Sequence, residues 1–368
     1  MLKSRTVGAL SARSGEARGI LALPVLLLAL LAGCGGGSSA PVSLADAGPP
    51  VVDSKGCTIY GDPPRPLAQV SLDGTLDDIL QTVFSCAAYN GEVLEGWSDA
   101  DGTPRKACMI NTGGATPQHK LPMLVWLHAT LASSTGFFTT ALLKTIPTAD
   151  LSGDPQRPGY ILLLPMGRII DQFLPFPLNT GISWDHWYRN MDRNSPYLNV
   201  DVAAIDHFIA VVKQRDIVDT NRVFVSGWSE GADMATLYGL NTPGVAATEP
   251  YSTTSPFDDA RSDPCTVKPF ATNQRPYNLI LRACDTGAAC KYGTQFVEEL
   301  ANGVLPVSML DETILNDYGT VQVYQCDASC DDITGNPFRQ AFGGYIHGIW
   351  PLGWNDQYLQ YFRDHPQQ

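Results

Sequence analysis

Short, uninterrupted apolar runs separated by polar or glycine-rich stretches dominate the middle of the chain. Runs of this kind are typical of strands that are buried on both faces of a parallel sheet. They predict five central strands, at residues 123–127, 160–164, 223–226, 278–281 and 320–324. A sixth run, at 106–111, predicts an edge strand.

Between these runs, apolar residues recur at helical spacing. The clearest example is 199–215, where Val202, Ile205 and Phe208 share one helical face and Asp206 points away from it. Similar patterns predict helices at 76–86, 232–240 and 355–362. Short apolar strands that alternate with helices predict an α/β fold, with a mostly parallel central sheet and helices on both faces.

The beginning of the chain follows a different pattern. Basic residues precede an apolar run at 20–31 that is too short to span a bilayer as a mature helix. This order predicts a secretory signal peptide over 1–33. The letters LAGC at 31–34 resemble the lipobox of bacterial lipoproteins, and the resemblance implies a lipid on Cys34. An ordinary signal peptide cleaved at another position is the alternative.

The rest of the chain is interpreted as a tether and one domain. Residues 34–52 are rich in Gly, Ser, Ala and Pro, which predicts a flexible tether. Residues 53–368 predict a single large α/β domain, in which 53–104 is interpreted as a covering segment. The oligomeric state is left open.

Cysteine usage and charge narrow the class of protein. Eight cysteines remain besides Cys34, and an even number in an exported chain predicts up to four disulfides, with the pairing left open. Without a CxxC pair, and with six scattered histidines, no metal site is predicted. A formal net charge of −13 without a basic run argues against nucleic-acid binding.

A serine between two glycines stands where a predicted strand turns into a predicted helix. The sequence GWSEG at 227–231 matches the Gly-x-Ser-x-Gly turn that exposes a nucleophilic hydroxyl above a sheet. A serine nucleophile needs a base and a carboxylate that orients the base. Ser229, Asp285 and His347 occur in the chain order that this fold requires. We therefore predict that they form a catalytic triad.

Each member of the predicted triad has an alternative interpretation. The match at Ser229 is also compatible with chance, and His347 with a structural loop histidine. Asp285 is preferred because it directly follows an apolar strand. Cys284 and Cys290 bracket it, which suggests a nearby disulfide that holds the acid in place. Five carboxylates compete with Asp285 for the role, namely Asp311, Asp317, Asp327, Asp331 and Asp332.

Backbone N–H groups are expected to stabilise the oxyanion. The first is that of Glu230, directly after the nucleophile. The second should come from the loop after the first central strand, with Thr130 preferred over Ala129. His128 in the same loop is interpreted as a packed, hydrogen-bonded residue. Four tryptophans are candidates for a substrate pocket, with plain packing as the alternative: Trp184, Trp187, Trp228 and Trp350.

Four segments together resemble secreted polyhydroxybutyrate depolymerases and feruloyl esterases of the α/β-hydrolase superfamily. They are LPMLVWLHAT at 121–130, VDTNRVFVSGWSEGADMATLYG at 218–239, YNLILRACDTG at 277–287 and GGYIHGIWPLGW at 343–354. The resemblance places Ser229, Asp285 and His347 at the catalytic positions. The chain departs from the family at Ala129 and Ala232, where the family has glycine, and in the spacing of the histidine loop.

These patterns and resemblances predict an exported, membrane-anchored serine hydrolase that cleaves carboxylic esters through an acyl-enzyme. The expected substrate is a polyester such as polyhydroxybutyrate, or a feruloyl or other acyl ester, and no cofactor is implied. Gly35 after Cys34 favours the outer membrane by resemblance to Gram-negative lipoproteins. A peptidase of the same fold and a non-catalytic binding lipoprotein are the alternatives.

Overall fold

The computed structural model describes residues 86–99, 102–130, 134–171, 180–184, 193, 200–256, 274–330 and 337–367. The predicted signal peptide and tether, Cys34 and Trp187 therefore lie outside the described residues, as does most of the predicted helix 76–86. Within the described part of the chain, no helix has both the length and the apolar character needed to cross a bilayer.

Eleven strands occur in the described residues. In chain order they are β1 (Gly91–Ser98), β2 (Pro104–Ile110), β3 (Leu121–Leu127), β4 (Ile161–Pro165), β5 (Arg168–Asp171), β6 (Thr180–Ser183), β7 (Val218–Gly227), β8 (Ala247–Thr248), β9 (Tyr277–Arg282), β10 (Leu310–Leu315) and β11 (Gln322–Val323). Strands β5 and β6 pair with each other as a separate antiparallel ribbon.

The other nine strands form one sheet in the order β1-β2-β4-β3-β7-β8-β9-β10-β11. The pairs from β4 to β10 are parallel, whereas β1, β2 and β11 pair antiparallel at the two edges. All seven residues of β3 are buried, as expected for a strand covered on both faces. The prediction of a mostly parallel central sheet is confirmed.

Helices cover both faces of this sheet. The α-helices of the described residues are α1 (Val200–Gln214), α2 (Glu230–Asn241), α3 (Cys290–Ala301), α4 (Pro337–His347) and α5 (Asn355–Asp364). Side chains of α1, α2 and α3 share one apolar core with Met123, Val125 and Leu127 of β3. Side chains of α5 share a second core with Leu124 and Trp126, which alternate with them along the strand.

Three parts of the sequence prediction were wrong. The predicted edge strand at 106–111 is β2, which lies between β1 and β4 and is not at the edge of the sheet. The interpretation of 53–104 as a covering segment fails for its described part, because β1 pairs with β2 at the edge of the sheet. The predicted central strand 320–324 is only the short antiparallel strand β11, and the parallel neighbour of β9 is β10. Periodicity did not reveal β10 because its first half, Leu310–Glu312, is partly exposed and polar.

A buried cluster of charges fixes β1 and β2 to the rest of the domain. Arg105 donates to Asp99 at 2.9 Å, to Asp201 of α1 at 2.5 Å and to the carbonyl oxygen of Met166 at 3.0 Å. Arg168 donates to the same Asp99 at 2.9 Å. All four charged side chains are almost completely buried. Because buried charges are tolerated only when paired, this cluster specifies how the edge of the sheet joins α1.

Three disulfides occur in the described residues. Cys86–Cys108 joins the first described turn to β2. Cys284–Cys330 and Cys290–Cys326 both tie the segment around Asp285 to a single later loop. The predicted bridge beside Asp285 is thereby confirmed, and it is doubled. The remaining cysteines, Cys57 and Cys265, lie outside the described residues, so a fourth disulfide stays a prediction.

Candidate active site

Ser229 occupies a strained turn between β7 and α2. Its backbone has φ 56° and ψ −127°, which an L-residue rarely adopts. The Ser229 N–H donates to the carbonyl oxygen of Tyr251 at 3.1 Å, and its carbonyl oxygen accepts from Ala232 and Asp233 in the first turn of α2. The turn is therefore held by hydrogen bonds on both sides, and the side chain projects at the carboxyl edge of the parallel strands.

The two glycines around Ser229 are required for different contacts. A Cβ on Gly227 would lie 2.2 Å from the carbonyl oxygen of Gly231, so the strand and the helix start cannot come this close with a side chain between them. A Cβ on Gly231 would lie 2.3 Å from the carbonyl oxygens of Leu127 and His128. Gly231 thus allows the loop after β3 to pack directly on the start of α2. Ala232 is completely buried, so its methyl group is accommodated.

The three predicted catalytic residues come together. The Ser229 Oγ lies 2.9 Å from the Nε2 of His347. The Nδ1 of His347 lies 3.0 Å from Oδ1 and 3.2 Å from Oδ2 of Asp285. This is the arrangement in which an imidazole can take the proton of a serine hydroxyl while a carboxylate orients the ring.

Asp285 is buried and held by its own loop. Its Oδ1 accepts hydrogen bonds from the N–H groups of Gly287 and Ala288 at 2.9 Å and 3.0 Å. Two of the competing carboxylates, Asp317 and Asp327, instead pair with Arg339. Asp311 lies on β10, and Asp331 and Asp332 lie outside the described residues.

His347 reaches the site from a helix rather than from a loop. It is the last residue of α4, which the sequence analysis did not predict. The indole N–H of Trp228 donates to the carbonyl oxygen of His347 at 3.0 Å, and the hydroxyl of Tyr251 donates to that of Ile349 at 3.0 Å. Residues beside the nucleophile therefore fix the backbone that carries the base.

Ser252 is a member of the site that sequence reasoning missed. Its Oγ lies 2.8 Å from the Nδ1 of His347, and its hydroxyl donates to Oδ2 of Asp285. Ser252 is completely buried and has φ 63°. Neither a motif nor a strand pattern marks this position. The signal that was available is its place after TEPY at 248–251, where the chain passes between β7 and β9.

The loop after β3 is fixed through His128. Burial lowers the pKa of His128 from 6.5 to about 4, so the ring is neutral at physiological pH. Its Nε2 accepts from the N–H of Gly167 at 2.9 Å, which leaves the proton on Nδ1, and that N–H donates to the carbonyl oxygen of Ala129 at 2.9 Å. The interpretation of His128 as a packed, hydrogen-bonded residue is confirmed.

The predicted oxyanion donors lie around this loop. The carbonyl oxygen of Ala129 is bound by the His128 ring, so the N–H of Thr130 in the same trans peptide points away from that ring. The Thr130 hydroxyl donates to the carboxylate of Glu230 and lies 3.2 Å from the Ser183 hydroxyl. This contact joins the loop to the start of α2. The assignment of the oxyanion donors themselves stays a prediction.

The three candidate tryptophans that lie among the described residues are buried in the protein. Trp184, Trp228 and Trp350 are only 0%, 8% and 3% exposed. The indole N–H of Trp184 donates to the carbonyl oxygen of His128, and that of Trp350 donates to Asn355. The burial of Trp184 and Trp350 supports the alternative of plain packing. Trp228, whose N–H binds His347, has little free surface for that role.

No group of His, Cys, Asp or Glu side chains within the described ranges has the arrangement of a metal site. The groups that converge on Ser229 are an imidazole, a carboxylate and a second hydroxyl. They are suited to moving the hydroxyl proton and to stabilising the imidazolium cation that results.

Comparisons with known proteins assign no family to the chain. No protein-family model and no curated protein matches the chain. A solved thermostable esterase has 14% identity over 75% of this chain and 63% of its own, with a TM-score of 0.45. An S-formylglutathione hydrolase from Agrobacterium tumefaciens has 10% identity over 76% and 96%, with a TM-score of 0.46.

A ferulic acid esterase from Anaeromyces mucronatus has 13% identity over 72% of this chain and 90% of its own, with a TM-score of 0.39. Similarities this low assign no activity to this chain. The sheet order, the strained serine turn and the Ser-Asp-His chain order are those of the α/β-hydrolase fold.

Gly287 provides a test of how closely His347 must be placed. A Cβ at this position would lie 2.4 Å from Cγ and 2.7 Å from Nδ1 of the His347 ring. We expect Gly287→Ala to displace the ring and to lower ester turnover by roughly 10²-fold, the usual cost of misplacing a catalytic group by about an ångström. Gly344→Ala is the matched control, because its Cβ would meet nothing nearer than 3.8 Å. Equal turnover in the two variants would contradict the prediction.

The neutral His128 predicts a dependence of stability on pH. The unfolded chain takes up a proton near pH 6.5, whereas the folded chain does so near pH 4. The contribution of neutral His128 to the free energy of unfolding is therefore fully present above pH 6.5. It is lost as the pH drops toward 4, by about 3 kcal/mol in total. The free energy of unfolding, measured with urea at several pH values in this range, should depend less steeply on pH for His128→Gln than for the wild type or for His119→Gln. An unfolding free energy that depends on pH equally in His128→Gln and in the wild type would refute the conclusion that His128 is neutral in the folded protein.

Proposed function

We propose that this protein is a serine hydrolase that cleaves carboxylic esters through an acyl-enzyme. The observation that carries the proposal is the Ser229–His347 contact of 2.9 Å on a backbone turn that is strained at Ser229 itself. Such a conformation costs free energy at any residue other than glycine, and a nucleophile gains an exposed hydroxyl from it.

The mechanism follows from the hydrogen bonds. His347 Nε2 removes the hydroxyl proton of Ser229 as Oγ attacks the ester carbonyl, and Asp285 stabilises the imidazolium. The Glu230 N–H and an N–H of Thr130 or Ala129 stabilise the oxyanion. His347 then gives its proton to the leaving alcohol. A water molecule that loses its proton to His347 hydrolyses the acyl-enzyme, which restores the Ser229 hydroxyl.

An extended apolar ester is the substrate that the surface favours. Large apolar side chains are exposed on the elements next to the catalytic histidine. Phe338 and Tyr345 lie on α4 itself and are 77% and 47% exposed, and Leu352 follows shortly after α4. Tyr318 and Tyr324 are exposed before and after β11. Where exposed apolar groups form one contiguous patch, they are typical of surfaces that bind apolar partners. We therefore place a polyester such as polyhydroxybutyrate before a feruloyl or short acyl ester.

The location of the protein is part of the proposal. The lipobox-like sequence that ends at Cys34 supports export and attachment to a membrane through a lipid, with the outer membrane favoured by Gly35. An exported enzyme meets polymeric esters that do not enter cells. The disulfides among the described residues are compatible with an oxidising compartment.

Variants of the triad and a panel of substrates test the activity. Ser229→Ala and His347→Ala should each lower ester turnover by about 10⁴-fold or more, because triad members act as one unit. Asp317→Asn, which alters a competing carboxylate, should leave turnover unchanged. The panel sets p-nitrophenyl esters of rising chain length beside methyl ferulate, polyhydroxybutyrate particles and a peptide amide.

The panel also separates the alternatives. Turnover of the peptide amide above that of every ester would indicate a peptidase of the same fold and contradict the proposed esterase activity. A folded Ser229→Ala protein with normal ester turnover would remove the mechanism altogether. A wild-type protein that hydrolyses nothing and does not react with a fluorophosphonate would support a non-catalytic binding lipoprotein.

Cys34 tests the anchor. Replacement by alanine removes the thiol that a lipid would modify, so Cys34→Ala should leave the membrane fraction for the soluble fraction while retaining its specific activity. Membrane fractionation followed by mass spectrometry of the first mature residues measures both the location and the lipid. A Cys34→Ala protein that still sediments with membranes would argue against lipid attachment at this residue.

A further inference from the structure

A second serine hydroxyl lies inside the contact between His347 and Asp285. The Ser252 Oγ is 2.8 Å from His347 Nδ1, closer than either carboxylate oxygen of Asp285, which lie at 3.0 Å and 3.2 Å. The same hydroxyl donates to Oδ2 of Asp285. Ser252 therefore contacts both residues on which the basicity and orientation of the imidazole depend.

The direction of these hydrogen bonds follows from the donors available. In the enzyme ready to react, Nε2 of His347 faces the Ser229 hydroxyl as an acceptor, so the ring proton is on Nδ1. A serine hydroxyl donates one proton and accepts through its lone pairs. Because the Ser252 proton is directed to Asp285, its oxygen is free to accept the Nδ1–H of His347. The imidazole N–H thus has two acceptors, a hydroxyl and a carboxylate.

The backbone indicates that the hydroxyl is the reason for a serine at this position. Ser252 has φ 63°, a conformation that glycine adopts at lower cost than any other residue. Its N–H donates to the carbonyl oxygen of Ile280 in β9 at 2.8 Å, so the conformation is fixed by the sheet. A serine in a glycine-favouring conformation, completely buried and directed at the triad, is best explained by its side chain.

We propose that Ser252 is a positioning residue for His347, which holds the proton on Nδ1 and the ring in line with Ser229 through a direct hydrogen bond. This role rests on the proposed serine-hydrolase function and deepens it. Asp285 provides one acceptor for the imidazole N–H. Ser252, in the segment between β7 and β9, provides a second. The site is then a group of four side chains, Ser229, His347, Asp285 and Ser252.

Ser252→Gly tests the proposal without introducing backbone strain. Removing one hydrogen bond to a group that becomes charged should lower kcat/KM by about tenfold to hundredfold, mainly through kcat. The melting temperature should not fall in parallel, because glycine suits this φ value. Ser226→Ala is the control, since Ser226 is also buried but binds the carbonyl oxygen of Glu249 and not the triad. Wild-type kcat/KM in Ser252→Gly would overturn the proposal.

A double-mutant cycle separates a direct contact from one that acts through Asp285. In an Asp285→Ala background, Ser252→Gly should lower the residual kcat/KM further, because the hydroxyl still accepts the Nδ1–H of His347. No further loss would show that Ser252 acts only through the carboxylate, and the proposed direct role would be wrong.

A spectroscopic measurement avoids turnover altogether. In the Ser229→Ala protein, the Nδ1–H of His347 should give a downfield proton resonance that changes position when Ser252→Gly is added. An unchanged resonance would overturn the proposal even if the rates of the variants differed. Failure of the hydrolase function itself would appear separately, as ester turnover that survives Ser229→Ala.

Discussion

The close packing of β7 against the start of α2 is the constraint on which the rest of the site depends. Gly227 and Gly231 bring the two elements together so closely that neither position accommodates a Cβ. Ser229 lies between these two glycines in a strained conformation, and its hydroxyl reaches His347. The carbonyl oxygens of Leu127 and His128 pack closely against the same Gly231. One contact therefore places both the nucleophile and the loop that is proposed to stabilise the oxyanion.

The other members of the site arrive from distant parts of the chain, and hydrogen bonds from the nucleophile region hold them. Tyr251 accepts the N–H of Ser229 through its carbonyl oxygen and binds the chain after His347 through its hydroxyl. Trp228 binds His347 directly. Two disulfides fix the segment around Asp285. The geometry of the base therefore depends on the nucleophile turn as much as on its own helix.

The sequence was informative wherever one element or one motif carries the signal. The buried strands β3, β4, β7 and β9 were predicted from apolar runs, and Ser229, Asp285 and His347 from the motif and the chain order. Ser252 was missed, because no motif marks it and its role arises from contacts between three separate segments. The role of Trp184 and Trp350 was left open, because composition does not distinguish a residue that lines a pocket from one that is packed behind it. The helix α4 was missed because adjacent glycines, at 343 and 344, interrupt its pattern.

The central claim is that Ser229 is a nucleophile activated by His347, and its direct test is the site of covalent modification. The wild-type protein is incubated with a fluorophosphonate, and the adduct is located by mass spectrometry of its peptides. We expect one adduct, on Ser229, whose formation becomes far slower in His347→Ala. Labelling at another residue, or an equal rate of labelling at Ser229 without His347, would contradict it.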